Sequence, residues 1–439
     1  MLDKGVQGGS RQSGPTRVGR NTRRQDKLFP QARGERTERG LHDEPRRVRV
    51  AAPTRSAVIT GCGVVSPLGT GVPAFWDGLV AGRVAIAPIA RFPAADLEPR
   101  HAAEVAEFRP ADPDRAGAFL LRAATEACGD AGLDVATLDP VRMGAVIGTT
   151  LGGMQIFEHW LGSADVAPAE AERIPYHAPA VRLARAFGCR GPVATPQLAC
   201  ASSTHAIALA ADWVRRGRAD VVLAGGTDLL CRFVVAGFNC LRATADAARP
   251  FDVRRRGLVL GEGAAVVVIE ATDTAVRRGA TIRARVLGVG GAGDAVHMTA
   301  PDREGAGAAR AIAAALDDAG VRPGDVDFVS AHGTGTPYND AMEAAALGRL
   351  FEPRAVPVNS IKGAIGHTLG AAGAFEAVMC TRVLATGTVP PTAGLEELDP
   401  ACGALDVVHG AARSGHVTVA VSTSSGFAGT NAALVLGRA

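Results

Sequence analysis

The chain has 439 residues, 47% apolar and only 4% aromatic, enough for one large or two medium domains with a core of Ala, Val and Leu. Residues 1–50 carry 13 Lys/Arg and 6 Asp/Glu, a net of +7; the whole chain is 47 minus 44, or +3, so residues 51–439 carry −4 and offer no electrostatic basis for nucleic-acid binding. Eight cysteines without a CxxC pair argue against a zinc site or disulfide framework and fit a reducing cytoplasm, and no apolar run approaches the roughly 20 residues of a membrane helix.

Residues 1–54, rich in Arg, Gly, Gln and Ser, read as a disordered basic tail. The first patterned residue is near Ser56, so the tail reads as the product of an upstream start codon; N-terminal sequencing of the native protein tests this. Ser56–Thr60 reads as a strand, followed by a glycine turn, GCGVVSPLG. Helices are expected at 72–81 and 116–131, and a buried strand at 143–148 ending in GTTLGG. The segment 171–190 is less regular. Val193–Leu198 reads as a short strand running into a turn, 202–218 as a helix of small residues, and 221–224 as an apolar strand. Strands at 264–270 and 282–287 flank a short helix at 272–279.

GVGGAG (288–293) fits G-x-G-x-x-G after a strand. A dinucleotide site requires a helix to begin there, and the loop-like DAVHMTAPD follows instead. An amphipathic helix is expected at 304–319, a strand at 327–330 running into AHGTGTP, and a helix at 340–350. A strand at 356–361 runs into Lys362 and GAIGH, followed by a small-residue helix at 371–386. Strands at 417–422 and 432–436 close the chain around TSSGFAGTN.

Strands and helices alternate, which points to α/β layers. PVATPQLAC with its Ala-rich helix loosely repeats as VPVNSIKG with another, suggesting paired central helices between two sheets. Chemistry-bearing residues fall at strand ends, where open α/β folds place sites. Cys200 sits at a strand-to-helix switch, where unpaired N–H groups and the macrodipole favour a thiolate. Singly, Cys200, His332 and His367 each read first as buried structural residues; together, three strand ends presenting Cys, His and His are hard to explain by packing. The chain has 44 Arg and three Lys, and Lys362 is the only lysine outside the tail. Arg cannot supply a compact ammonium, so this amine stands out.

With these residues, the chain resembles a β-ketoacyl-acyl-carrier-protein synthase of the elongating Cys-His-His kind. The resemblance rests on TGCGVVSPLG (60–69), Ala199-Cys200 with Ser202-Ser203, RPFD (249–252), GLVLGEGAA (257–265), AHGTGTP (331–337), KGAIGH (362–367), GAAGAFE (370–376) and GFAGTN (426–431), in register from about 56 to 437. It implies a thiolase-like α/β fold with two pseudo-repeated halves in five α-β-α-β-α layers, the tail at 1–54 preceding halves at 55–272 and 273–439. It implies that Cys200 carries an acyl chain and that the N–H groups of Cys200 and Phe427 form an oxyanion hole. His332 and His367 would stabilise an enolate, with Lys362 as a supporting catalytic residue and Glu376 behind it. Thr334 and Thr336 would hold the phosphopantetheine arm, and Phe157 would limit the acyl pocket. Asp340, Glu343 and Asn431 would be structural.

No cofactor of its own and no metal are implied. Substrates arrive on acyl carrier protein, and the partner is a second copy or a ketosynthase-like subunit, with no nucleic acid or membrane. Departures are Ala201 after the nucleophile, Ser425 in place of a frequent Phe and Ala428 in place of a frequent Gly, the last two in the loop around Phe427. A non-catalytic chain-length-factor-like partner is the alternative, disfavoured by Cys200 with both histidines. A thiolase would use a second C-terminal Cys where SSGFAGTN stands, a Cys-His-Asn priming synthase would have Asn in place of His367, and a modular synthase would carry further domains.

Overall fold

The computed structural model describes residues 55–439 apart from 109, 111, 163–166 and 404. The tail expected at 1–54 lies outside the described residues. The main strands are β1 (Ala57–Ser66), β2 (Met143–Gly148), β3 (Val221–Asp228), β4 (Gly263–Ala271), β5 (Ala284–Gly293), β6 (Phe328–Ser330), β7 (Pro357–Asn359), β8 (Val419–Gly426) and β9 (Thr430–Arg438). The main helices are α1 (Arg115–Asp130), α2 (Met154–Leu161), α3 (Ser202–Arg215), α4 (Arg232–Cys240), α5 (Ala306–Ala319), α6 (Pro337–Phe351) and α7 (Ala372–Thr386).

Two halves repeat one pairing scheme. In the first, β1 pairs antiparallel with β4, β4 antiparallel with β3, and β3 parallel with β2. In the second, β5 pairs antiparallel with β9, β9 antiparallel with β8, and β8 parallel with β6. The expected two sheets are joined: β1 and β5 pair over Ala57↔Val286, Val58↔Arg285 and Ile59↔Ala284, so one hydrogen-bonded path crosses both halves. Helices α3 and α7 pack together between the halves, and α1 and α5 cover the outer faces. This is the five-layer thiolase-like arrangement.

The glycine-rich stretches are where expectation and structure differ most. GCG lies inside β1, and GVGGAG lies inside β5 rather than in a turn or loop. A Cβ on Gly63 would lie 1.9 Å from the Ala123 carbonyl oxygen of α1, and one on Gly290 would lie 2.2 Å from that of Ala311 in α5. These glycines let the outer helices touch the strands, which is the close-approach use of glycine in a sheet. The central pair is as close: a Cβ on Gly373 would lie 1.9 Å from Thr204 Oγ1.

Other boundaries shift. The strand expected over Val193–Leu198 is only Val193–Ala194, the helix from Ser202 stops at Arg215, and β3 continues to Asp228. Helices α2 and α4 were not anticipated. Leu369–Thr386, 18 residues of mean hydropathy 1.2, is long and apolar enough to cross a membrane, against the expectation that no run came close; 83% of it is buried in the protein. Its small apolar faces are consumed by the sheet and by α3.

Candidate active site

Cys200 lies on a turn tightened by hydrogen bonds. Ala199 has φ +49°, a conformation that costs a non-glycine residue about 1 kcal/mol or more. Ser202 Oγ donates to the Ala199 carbonyl at 2.6 Å and accepts from Leu198 N at 3.0 Å, and Ala201 N donates to the Leu198 carbonyl. The turn delivers the thiol just before the first turn of α3.

His332 follows β6. Its backbone N–H donates to Glu343 Oε1 at 2.7 Å, and Gly333 N–H donates to Glu343 Oε2 at 2.8 Å. Glu343, on α6, is thus the clamp on the His332 turn, and Thr423 Oγ1 completes it at 2.7 Å. His367 is set by its own N–H donating to the Val259 carbonyl at 2.6 Å. Its Nδ1 accepts from Leu369 N–H at 3.2 Å, so in the neutral ring Nε2 carries the hydrogen. The two imidazoles meet edge to face with centroids 5.1 Å apart. The Cys200 sulfur and one nitrogen from each ring lie within 4.8 Å of one another.

Lys362 stands behind this group. Its Nζ donates to Glu376 Oε1 at 2.5 Å, and both side chains are almost fully buried. Ser424 Oγ reaches Glu376 Oε2 at 3.4 Å and Thr204 Oγ1 at 2.7 Å, tying the pair to α3. Burial, and then the Lys362 ammonium, hold His332 and His367 well below the usual histidine range, so both are neutral at pH 7. Burial, and behind it the Asp228 carboxylate, push the Cys200 thiol up to about 12, opposed by the Lys362 ammonium and by the N–H groups of Phe427 and Cys200 itself. The expectation of a thiolate from helix position alone is therefore corrected: desolvation wins at this site. The two N–H groups acting on the sulfur suit negative charge developing next to it. Cys-His-His is also a possible metal ligand set, but those N–H groups at the sulfur and the occupied Nδ1 of His367 suit acyl chemistry better.

Cys200, His332 and His367 open onto a cavity of about 380 Å³. The chain matches the beta-ketoacyl synthase N-terminal domain over residues 54–275 and the C-terminal domain over 283–396. The chain belongs to the beta-ketoacyl synthase family. It is 40% identical over 418 residues to the tetracenomycin polyketide synthase ketoacyl synthase alpha subunit of Streptomyces glaucescens, covering 88% of this chain and 97% of that one. It is 38% identical over 410 residues to 3-oxoacyl-[acyl-carrier-protein] synthase 2 of Coxiella burnetii, covering 88% and 99%. The structure of the ishigamide ketosynthase/chain length factor superposes with a TM-score of 0.83 at 38% identity, covering 89% of this chain and all of that one. Enzymes of this family are acyltransferases.

Of the residues expected at the synthase site, Thr334, Thr336 and Phe427 line the cavity with the Cys-His-His group. The Thr334 and Thr336 hydroxyls are 2.9 Å apart, and Asp340 fixes their loop by accepting from Thr334 N–H at 3.0 Å. The Phe427 ring stacks on Phe238 of α4 at 5.8 Å. Ser425 Oγ donates to Asn431 Oδ1 at 2.8 Å, and Ala428 adopts φ +64°. Three expected residues do not line the cavity, one being Glu376, which holds Lys362. Lys362 is a buried neighbour of the histidines rather than a lining group. Phe157 is half-buried on α2, its ring tilted against Trp160 at 5.7 Å. Asp228, a carboxylate at the end of β3 that binds both the Thr149–Leu151 loop and Gly370, is not among the residues expected from sequence. A polar Thr-Asp ending to an otherwise apolar strand was the available signal.

Proposed function

We propose that the synthase catalyses decarboxylative Claisen condensation between an acyl group on Cys200 and a malonyl group on acyl carrier protein. The observation that carries this is the convergence of a thiol, two neutral imidazoles and two N–H donors at one cavity end. Cys200 attacks the acyl thioester. The carbon–sulfur bond to the carrier breaks, and the thiol proton leaves with the departing phosphopantetheine sulfur. The N–H groups of Cys200 and Phe427 hold the oxyanion, a contribution worth about 10²–10³ per donor in related chemistry. Thr334 and Thr336 hydrogen-bond the pantetheine arm.

Malonyl thioester then loses CO₂. The electron pair left behind forms an enolate, whose oxygen accepts hydrogen bonds from His332 and His367. The enolate carbon attacks the acyl-Cys200 carbonyl, the carbon–sulfur bond breaks, and the cysteine sulfur takes up a proton. Lys362 acts through its field, with Glu376 holding it in place. The histidines and the nucleophile come from different halves, 55–272 and 273–439, and the repeated strand pairing supports that division.

Acyl carrier protein is the partner that the names of the relatives support, and the pathway is fatty-acid or type II polyketide assembly. The synthase works as a homodimer or with a ketosynthase-like subunit, in the cytoplasm, where its eight free thiols are at home. It needs no cofactor beyond the carrier's phosphopantetheine. The test is to incubate acyl- and malonyl-carrier protein with wild type and Cys200→Ala. An acyl adduct on Cys200 by mass spectrometry, and condensation lost in the variant, are expected. Condensation without Cys200, or no adduct, would sink the reading.

A further inference from the structure

We propose that Asp228 is a positioning residue of the synthase: one carboxylate holds the Cys200 turn and the His367 loop together and so sets the nucleophile against the decarboxylating group. This rests on the function proposed above. Asp228 ends β3 and is 1% exposed. Its Oδ1 accepts from Thr149 Oγ1 at 2.7 Å and Leu151 N–H at 3.0 Å. Its Oδ2 accepts from Thr150 N–H at 2.9 Å and Gly370 N–H at 2.6 Å. All four partners are donors. Only an ionised carboxylate, which accepts at both oxygens, satisfies them; an asparagine would turn an NH₂ toward N–H groups.

Each arm reaches the chemistry in two steps. Thr150 Oγ1 donates to the carbonyl of Ala199 at 3.3 Å, the residue that carries the positive φ immediately before Cys200. On the other side, Gly370 follows Leu369, which has φ +54° and donates its N–H to His367 Nδ1. Fixing Gly370 fixes that turn, and the turn fixes which nitrogen of His367 bears the hydrogen. The two loops are in contact: a Cβ on Gly370 would lie 2.7 Å from Thr150 N and 2.8 Å from Asp228 Oδ2. Burial pushes the carboxyl up to about 6, while the same hydrogen bonds pull it back toward the ionised form.

The experiment separates the two half-reactions: acylation of Cys200, followed by intact-protein mass spectrometry, and decarboxylation of malonyl-carrier protein, followed by product release. Asp228→Asn is expected to slow both by about 10–100-fold, the scale of a lost hydrogen bond to a buried charge. Thr150→Val keeps the N–H to Asp228 and loses only the hydroxyl. It is expected to slow acylation by about 10-fold and leave decarboxylation within about twofold. In Thr150→Val, a merely structural role of the loop would lower both together. Asp228→Asn with both half-reactions near wild type, or Thr150→Val slowing both equally, overturns the proposal. If Asp228→Asn does not fold, the Thr150→Val split decides alone. A wild type that never acylates Cys200 overturns the underlying function and this inference with it; a wild type that condenses beside an unimpaired Asp228→Asn overturns this inference only.

Discussion

Lys362 is the residue on which the site's electrostatics turn. Its ammonium lies close enough to lower the proton affinity of Cys200, His332 and His367 together, after burial has acted on each. Lys362→Met removes that field and leaves Glu376 unpaired, which is expected to cost roughly 3–5 kcal/mol of stability. The sign for catalysis follows from the histidines. Their folded values are depressed, so they are neutral at pH 7 and take up protons only well into acid. A proton on His367 Nδ1 would face the Leu369 N–H and break that contact. Without Lys362 both histidines rise toward the ordinary value, so the acid limb of malonyl decarboxylation should move to higher pH. A pH–rate profile checks this; a limb that stays put or moves to lower pH contradicts it. At this scale much was legible. Lys362 announced itself by rarity, and Cys200, His332 and His367 by their place at strand ends. Asp228 did not, because its partners at Thr149 and Gly370 are far along the chain and a polar end to a strand does not reveal them.

At the level of elements, the long periodic helices and most buried strands are legible in the sequence, and the glycines mislead. GCG and GVGG look like breaks because glycine weakens a strand. What keeps them extended is the helix lying on them, a tertiary cause with no local trace. Helices α2 and α4 were missed for the opposite reason. They are short, begin at Gly153 and Cys231 without a side-chain cap, and α4 is built largely from Phe, Val, Gly and Asn, poor helix formers. The α3–α7 contact yields a test of the same principle. Gly373→Ala should favour the helix intrinsically by about 1 kcal/mol, yet its Cβ would meet Thr204 Oγ1 at 1.9 Å. Overpacking is expected to win, destabilising by about 1–3 kcal/mol and slowing acylation, because α3 carries the nucleophile turn. Thr204→Ala in the same chain should recover part of the loss in a double-mutant thermal-melt cycle. Additive effects would mean that the contact does not limit the helix spacing.

On the scale of the whole molecule, the sheet path ends at Val193–Ala194, a strand that among the described residues is paired on one side only, with β2. Val193 is 40% exposed, and Trp160, Leu161 and Tyr176 are 46%, 68% and 46% exposed. An open strand edge is a template for pairing with another chain, and large apolar side chains in water favour its burial. Phe157 packs half-buried against Trp160 on α2. These observations agree with the proposed assembly, a second copy or a ketosynthase-like subunit. The purified chain should therefore sediment at about twice its 44.8 kDa mass, or at that mass only until a ketosynthase-like partner is co-expressed. Val193→Asp and Trp160→Asp place a charge where an apolar contact is expected. Each should shift the equilibrium toward monomer, and by more than the packing lost within the chain lowers the melting temperature of the monomer, because about half of each side chain faces solvent there. Analytical ultracentrifugation of wild type and variants over a concentration series reads the shift. A wild type that stays monomeric and fully active with no partner present would show that this edge and these exposed side chains are not an assembly surface.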